Sequence, residues 1–184
     1  MNKMGDTILI NVGVYVGRFN PIHKGHQRAI DKMLFNHALR HSLLFVGSAN
    51  APLSLRNLFS YKERKDFIKA IYPDLMVLPL ADQDSDEDWF ESLIDMVEVA
   101  FPFYHQINLY CGDLIDIANF PHNDKITIQV VDRYQEQVYS ATEVRQHIMG
   151  DNMKKLKELI DSRIVFDVYA RGRSRLDALV RGQR

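Results

Sequence analysis

Gly17-Arg18-Phe19-Asn20-Pro21-Ile22-His23-Lys24-Gly25-His26 lies between two runs of different periodicity. Upstream, residues 8–16 are apolar at nearly every position, as in a parallel strand covered on both faces. Downstream, residues 24–40 place Ile30, Met33, Leu34, His37 and Ala38 at helical spacing, which predicts a helix with those residues on its buried side. The stretch is therefore a strand-to-helix turn holding two glycines, an arginine and two histidines. Glycine lets backbone approach a ligand closely, and the first amides of a helix point at an anion, so the pattern implies a phosphate site. It is neither G-x-x-x-x-G-K-[ST] nor G-x-G-x-x-G, which excludes the two commonest glycine-rich phosphate loops.

Working outward, strands are expected at 42–47, 75–80, 107–111 and 126–131. A loop at 48–59 leads into a helix opened by Ser60 and Glu63 in capping-box spacing, with Phe67, Ile68 and Ile71 on its apolar side and Pro73 beyond its end. The acidic run Asp82, Asp84, Asp86, Glu87, Asp88 reads as a solvated loop that becomes a helix N-terminus, where acids favour the dipole. That helix runs to about Ala100, and a short one follows Gly112-Asp113 to about Asn119. Ser140 and Glu143 form a second capping-box match for a helix to Met149. Asp151 or Asn152 can cap another to about Ile160, and a last helix spans 162–180, interrupted or weakened by Gly172. Alternating strands and helices predict an α/β fold: a parallel sheet with helices on both faces and a C-terminal helical segment. The loops at 17–26, 48–59, 81–89, 111–113 and 132–142 should then share one cleft.

The 184 residues fit a single domain, with 151–184 as its C-terminal helical extension. Hydrophobic content of 46%, charged content of 26% and a net charge of −1 give no argument for a nucleic-acid or membrane partner. The single cysteine, Cys111, excludes an internal disulfide and a cysteine-rich zinc site, and it fits a reducing cytoplasm. Met1 to Thr7 is short and polar, and no apolar run reaches 18 residues, so the expectation is a soluble cytoplasmic protein.

Gly17-Arg18-Phe19-x-Pro21-x-His23-x-Gly25-His26 resembles the H-x-G-H motif of the nucleotidyltransferase superfamily, and its arginine resembles that of the archaeal-type nicotinamide mononucleotide (NMN) adenylyltransferases. Two further stretches are similar to that family. Arg56, Asn57, Phe59, Ser60, Glu63 and Arg64 match the loop after the second strand, with Leu58 where proline is usual. Ser140-Ala141-Thr142-Glu143-Val144-Arg145 resembles the second superfamily motif, S-[STG]-T-x-[IV]-R. The resemblance covers about residues 8–149 and implies a Rossmann-like fold. It implies transfer of AMP from ATP to the phosphate of NMN, giving NAD and pyrophosphate, with Mg2+ shielding the triphosphate.

Such chemistry is mostly positioning and electrostatic stabilisation, and an acceptor phosphate is already ionised at neutral pH. No nucleophile–base pair is required. His23 and His26, three apart, project to one side and can donate to phosphate oxygens. The resemblance implies His23, His26, Arg18, Arg56 and Arg145 as catalytic residues. It implies Gly17, Phe19, Gly25, Gly112, Asp113, Ser140 and Thr142 around ATP, and Ser48, Asn57, Phe59, Asp86 and Trp89 around NMN, with no metal held by side chains. Trp89, the sole tryptophan, fits either core packing or stacking on the cationic nicotinamide ring. The family often has asparagine where Asp86 stands.

The C-terminal segment carries Arg163, Arg171, Arg173, Arg175, Arg181 and Arg184 against Asp167 and Asp177. It reads as a surface helix or a homo-oligomer contact. A nucleic-acid arm is the lesser reading, because interleaved aromatics beyond Phe166 and Tyr169 are lacking. Two alternatives to the NMN reaction stay open: another phosphomonoester acceptor such as phosphopantetheine, and a non-catalytic nucleotide sensor.

Overall fold

The computed structural model describes residues 10–111, 123–131 and 139–181. In chain order these form β1 (Ile10–Gly17), α1 (Lys24–Leu34), β2 (His41–Val46), α2 (Tyr61–Ile71), β3 (Met76–Pro79), α3 (Asp86–Ala100), β4 (Tyr104–Cys111), β5 (Ile126–Val130), α4 (Ala141–Met149), α5 (Met153–Leu159) and α6 (Val165–Arg181). The expected strand at Ile8 and Leu9, the site residues Gly112 and Asp113, the short helix to Asn119, residues 132–138 and Arg184 lie outside the described residues.

The five strands are all parallel, in the order β3-β2-β1-β4-β5. The chain winds outward from β1 through β2 to β3, then returns to place β4 on the other side of β1. In sheets of this kind ligands bind at such a reversal, beyond the carboxyl ends of the strands, here those of β1 and β4. Period-two alternation divides the strand side chains between two cores. Tyr15, Leu44, Val46, Val77 and Tyr110 face a large cluster with α1, α2, α4, α5 and α6. Val12, Val14, Leu43, Phe45, Ile107, Leu109 and Cys111 face a second cluster completed by Leu93 and Val97 of α3. Both faces are covered, which is why β1 reads as continuously apolar. No helix among the described residues is long and apolar enough to cross a membrane.

Local signals place the helix starts. Ser60 caps α2 and Glu63 returns the bond to the Ser60 amide at 2.8 Å, closing both halves of the box. At α4 only half is made: Ser140 Oγ accepts the Glu143 amide at 3.1 Å, while the Glu143 carboxylate lies 3.7 Å from His147. Asn152, rather than Asp151, caps α5. Ser85 caps α3, and Asp86, Glu87 and Asp88 fill its first turn, as expected of acids at a helix N-terminus.

Two expectations are corrected. First, α1 stops at Leu34 instead of continuing to Arg40, and Leu34, His37 and Ala38 are exposed. Asn36 causes the stop: its Oδ1 accepts the Ala38 amide and its Nδ2 donates to the Tyr110 hydroxyl, so the side chain competes with helical bonding. Second, Gly172 does not break α6. It is buried, and a Cβ there would sit 3.0 Å from Ile148 Cδ1 and 3.3 Å from Phe59 Cζ. The glycine lets α6 lie close against α4 and the 54–59 loop. Gly172→Leu should cost about 1–3 kcal/mol by overpacking. A thermal melt should register this as about 2–4 °C for each kcal/mol. A melting temperature equal to the parent's would contradict the packing role.

Candidate active site

The turn after β1 folds around Phe19, whose φ of 48° and buried ring set the path of the chain. The ring meets Tyr15 edge-on at 5.5 Å and His26 at 4.8 Å. Phe19 is expected around ATP; its side chain belongs to the core and supports His26. His23 occupies the N-cap position of α1, and its backbone N–H donates to His26 Nδ1 at 3.3 Å. That bond makes Nδ1 an acceptor and so puts the neutral imidazole's proton on Nε2, which leaves Nε2 as a donor. The two rings stack with centroids 3.7 Å apart, at 4% and 8% exposure. Gly25 is required by packing: a Cβ would lie 2.9 Å from Tyr139 Cβ and 3.1 Å from the His23 ring. The Tyr139 ring runs nearly parallel to His23, at 16°. The first motif is thereby packed directly beneath the residue that precedes Ser140.

Arg64 was only a motif match in the sequence, yet it is the buried hub of the site. At 2% exposure, its Nη1 donates to Arg18 O at 2.8 Å and Gly47 O at 2.7 Å, and its Nη2 donates to Ser48 O at 3.0 Å. It ties the carboxyl ends of β1 and β2 together. Burial pushes its pKa down, Arg18 adds repulsion, and Asp82 opposes both. A signal was available: Arg64, Phe67, Ile68 and Ile71 share the i, i+3, i+4, i+7 face of α2, so a charge sits on an otherwise apolar stripe. Ser48, at φ 48°, donates from Oγ to Asp82 Oδ1 at 2.9 Å, which joins the loop after β2 to the one after β3.

Asn20 was also missed. Its buried side chain donates to Phe59 O at 3.1 Å and accepts from the Phe59 amide at 3.0 Å, so one amide group pairs with a backbone as a strand neighbour would. Its own carbonyl accepts from Arg145 Nη1 at 2.7 Å. All three motifs therefore meet at one residue. No local pattern announces this, because the partners are 39 and 125 positions away. Phe59, expected near NMN, is buried against Phe67 at 5.2 Å, and its backbone pairs with Asn20.

Arg145 also donates from Nη2 to Thr142 Oγ1 at 3.0 Å. Its pKa is lowered by burial and then by the charges of Arg56 and Arg18. Arg56 and Arg18 thus lie near enough to Arg145 to disfavour its charge, and among the described residues none of the three bonds a carboxylate. Guanidiniums, imidazoles and the capped start of a helix are the donor types that suit an anion. Asn57 lies next to Arg56 in a tight turn, where its amide donates to Ser54 Oγ at 3.0 Å.

A family model described as cytidylyltransferase-like matches residues 14–147, from the middle of β1 to the end of the Arg145 motif. The chain belongs to the cytidylyltransferase-like family. Nicotinamide-nucleotide adenylyltransferases from Pyrococcus horikoshii and Pyrococcus abyssi are 26% and 28% identical over 145 residues, covering 75% of this chain and 73% of theirs. A bifunctional NMN adenylyltransferase/ADP ribose pyrophosphatase from Francisella tularensis, solved with AMP and a manganese ion, superposes with a TM-score of 0.70 at 22% identity. That match covers 96% of this chain and 55% of the other, so the chain spans about half of the bifunctional protein.

Within this family fold, Trp89 and Asp86 belong to the segment that follows β3. Both lie in the first turns of α3, and Trp89 packs half-buried against the α3-side core. Asp86 is exposed at the start of that helix. Among the described residues, no three His, Cys, Asp or Glu side chains converge to hold a metal ion. The arginine-rich end is largely occupied internally. Arg163 donates to Asp161 and to Ile71 O, Arg171 to Asp167, and Arg173 to Met149 O.

Proposed function

We propose that this chain transfers AMP from ATP to the phosphate of NMN, giving NAD and pyrophosphate. The observation that carries the proposal is the convergence of Arg18, Arg56 and Arg145 beside the stacked His23 and His26, with no carboxylate bonded to the guanidiniums among the described residues. The relatives' names supply the acceptor. An NMN phosphate oxygen attacks the α-phosphorus as the bond to the β-phosphate's bridging oxygen breaks, and the electron pair leaves with pyrophosphate. His26 Nε2 and His23 donate to phosphate oxygens on which charge grows, and the arginines neutralise the β- and γ-phosphates. Ser140 and Thr142, at the start of α4, extend the cradle, and Gly17 opens the turn beneath it.

Magnesium would supply charge neutralisation of the triphosphate oxygens. It retains water and commonly binds through substrate phosphates, a use that cationic side-chain donors on the same phosphates would complement. Trp89 is assigned to the nicotinamide ring, with Ser48, Asn57 and Asp86 nearer the acceptor than ATP. A cationic ring favours an aromatic face and an acidic surround. A cytoplasmic setting belongs to the same reading and is supported by the single cysteine.

Pyrophosphate release with ATP and Mg2+ tests the proposal, comparing NMN, nicotinate mononucleotide and phosphopantetheine. Rapid release with NMN, and NAD by chromatography, is the expected result. Release with phosphopantetheine alone would remove the Trp89 assignment. Nucleotide binding without release from any acceptor would replace the enzyme by a sensor.

A further inference from the structure

Arg175 lies beyond residues 14–147 that define the family match, yet it reaches back to the second motif. Its Nη1 donates to Leu58 O at 3.1 Å and to Glu63 Oε2 at 3.3 Å, and its Nη2 donates to Glu63 Oε1 at 2.9 Å. Glu63 in turn accepts from both the amide and the hydroxyl of Ser60 at 2.8 Å. Burial acts to raise the Glu63 pKa, but the bonds from Ser60 and Arg175 outweigh it and hold the carboxyl below its usual range. The ion pair is also sheltered, with side chains 25% and 12% exposed, unlike the surface pairs along the rest of α6. One turn earlier, Gly172 brings α6 against Phe59.

Residues 58–60 are therefore held from two sides. Asn20 grips Phe59 from within the fold, and Arg175 grips Leu58 and Glu63 from the C-terminal helix. Immediately before them, the Ser54–Asn57 turn is closed by paired bonds, and it carries the exposed Arg56. A long exposed side chain finds its target only as reliably as its backbone is fixed. We propose that Arg175 is a positioning residue, which fixes the Leu58 carbonyl and Glu63 so that the 54–59 loop presents Arg56 to the cluster of Arg18 and Arg145. The inference rests on the reading of Arg56 as a phosphate-binding residue. It gives the arginine-rich segment a role in this chain's own site.

A double-mutant cycle tests it, with ATP, Mg2+ and NMN as substrates and Arg175→Ala, Arg56→Ala and the double variant compared with the parent. Arg175→Ala should lower kcat/KM about 10-fold, and in the Arg56→Ala background it should cost less than about 2-fold, because the two residues act through one contact. Hydrogen exchange gives a readout independent of turnover: the amides of residues 57–60 should exchange faster in Arg175→Ala and at the parent rate in Arg56→Ala. Should Arg175→Ala not fold, Arg175→Gln keeps most of the stem and a neutral donor and enters the same cycle. Losses that multiply independently, or exchange unchanged at 57–60, would overturn the inference while leaving the reaction in place. Full turnover by Arg56→Ala would overturn the phosphate role of Arg56 and this inference with it.

Discussion

Arg145→Ala should lower kcat/KM for adenylyl transfer about 100- to 1,000-fold, the range set by deleting one well-placed donor to transition-state charge. The guanidinium is half-buried, held by the Asn20 carbonyl and the Thr142 hydroxyl, and it feels the charges of Arg56 and Arg18. A bound triphosphate would offset those neighbouring charges. The same arrangement predicts that Arg145→Lys recovers only part of the loss. A lysine keeps the charge, but a single ammonium cannot span Asn20 O, Thr142 Oγ1 and a phosphate with a planar fork. Stability should change little, since the bonds forfeited are worth about 1 kcal/mol each. Steady-state kinetics beside a thermal melt separate the two effects. Turnover within a few-fold of the parent would remove Arg145 from the reaction.

The second large effect concerns folding. Arg64→Ala should destabilise the chain by about 3–5 kcal/mol, because each buried acceptor left without a donor costs roughly 1–3 kcal/mol. The carbonyls of Arg18, Gly47 and Ser48 all lose their partner at once. Gly47 also donates to Gly17 O at 2.9 Å, so the junction between β1 and β2 would relax exactly where Arg18 departs. Denaturant titration should show the midpoint falling with little change in slope. Arg64→Lys should recover a minority of the loss, since its donors radiate from one atom. Well below the melting temperature, Arg64→Ala should still turn over more slowly than the parent, because Arg18 and Ser48 lose their common anchor. A midpoint indistinguishable from the parent's would show that water satisfies those carbonyls as well as arginine does.

These two arginines were not equally visible. Arg145 follows a capped helix start, Ser140 with Glu143, and belongs to a motif six residues long. Its motif is legible locally, although its bond to Asn20 O spans 125 positions. Arg64 bonds to residues 46, 17 and 16 positions away, and Asn20 to residues 39 and 125 away. Long-range partners of this kind leave no local periodicity. The charge of Arg64 on an apolar face was a trace of one. Phe19 and Phe59 show the converse: as motif residues they were assigned to ligands, although their rings are used to build the floor on which His26 and the 54–59 loop rest.

The sequence by itself determined the order of strands and helices, most helix starts and the cluster of phosphate-binding residue types. Those depend on periodicity and on caps that bond within three residues, which are properties of short segments. Only the tertiary structure decided that α1 ends at Asn36's bond to Tyr110, that Gly172 seats α6 instead of breaking it, and that Asn20, Arg64 and Arg175 hold three motifs in one arrangement. The reason is physical. These side chains bond to backbone atoms and partners that come near only after the sheet has brought distant segments together.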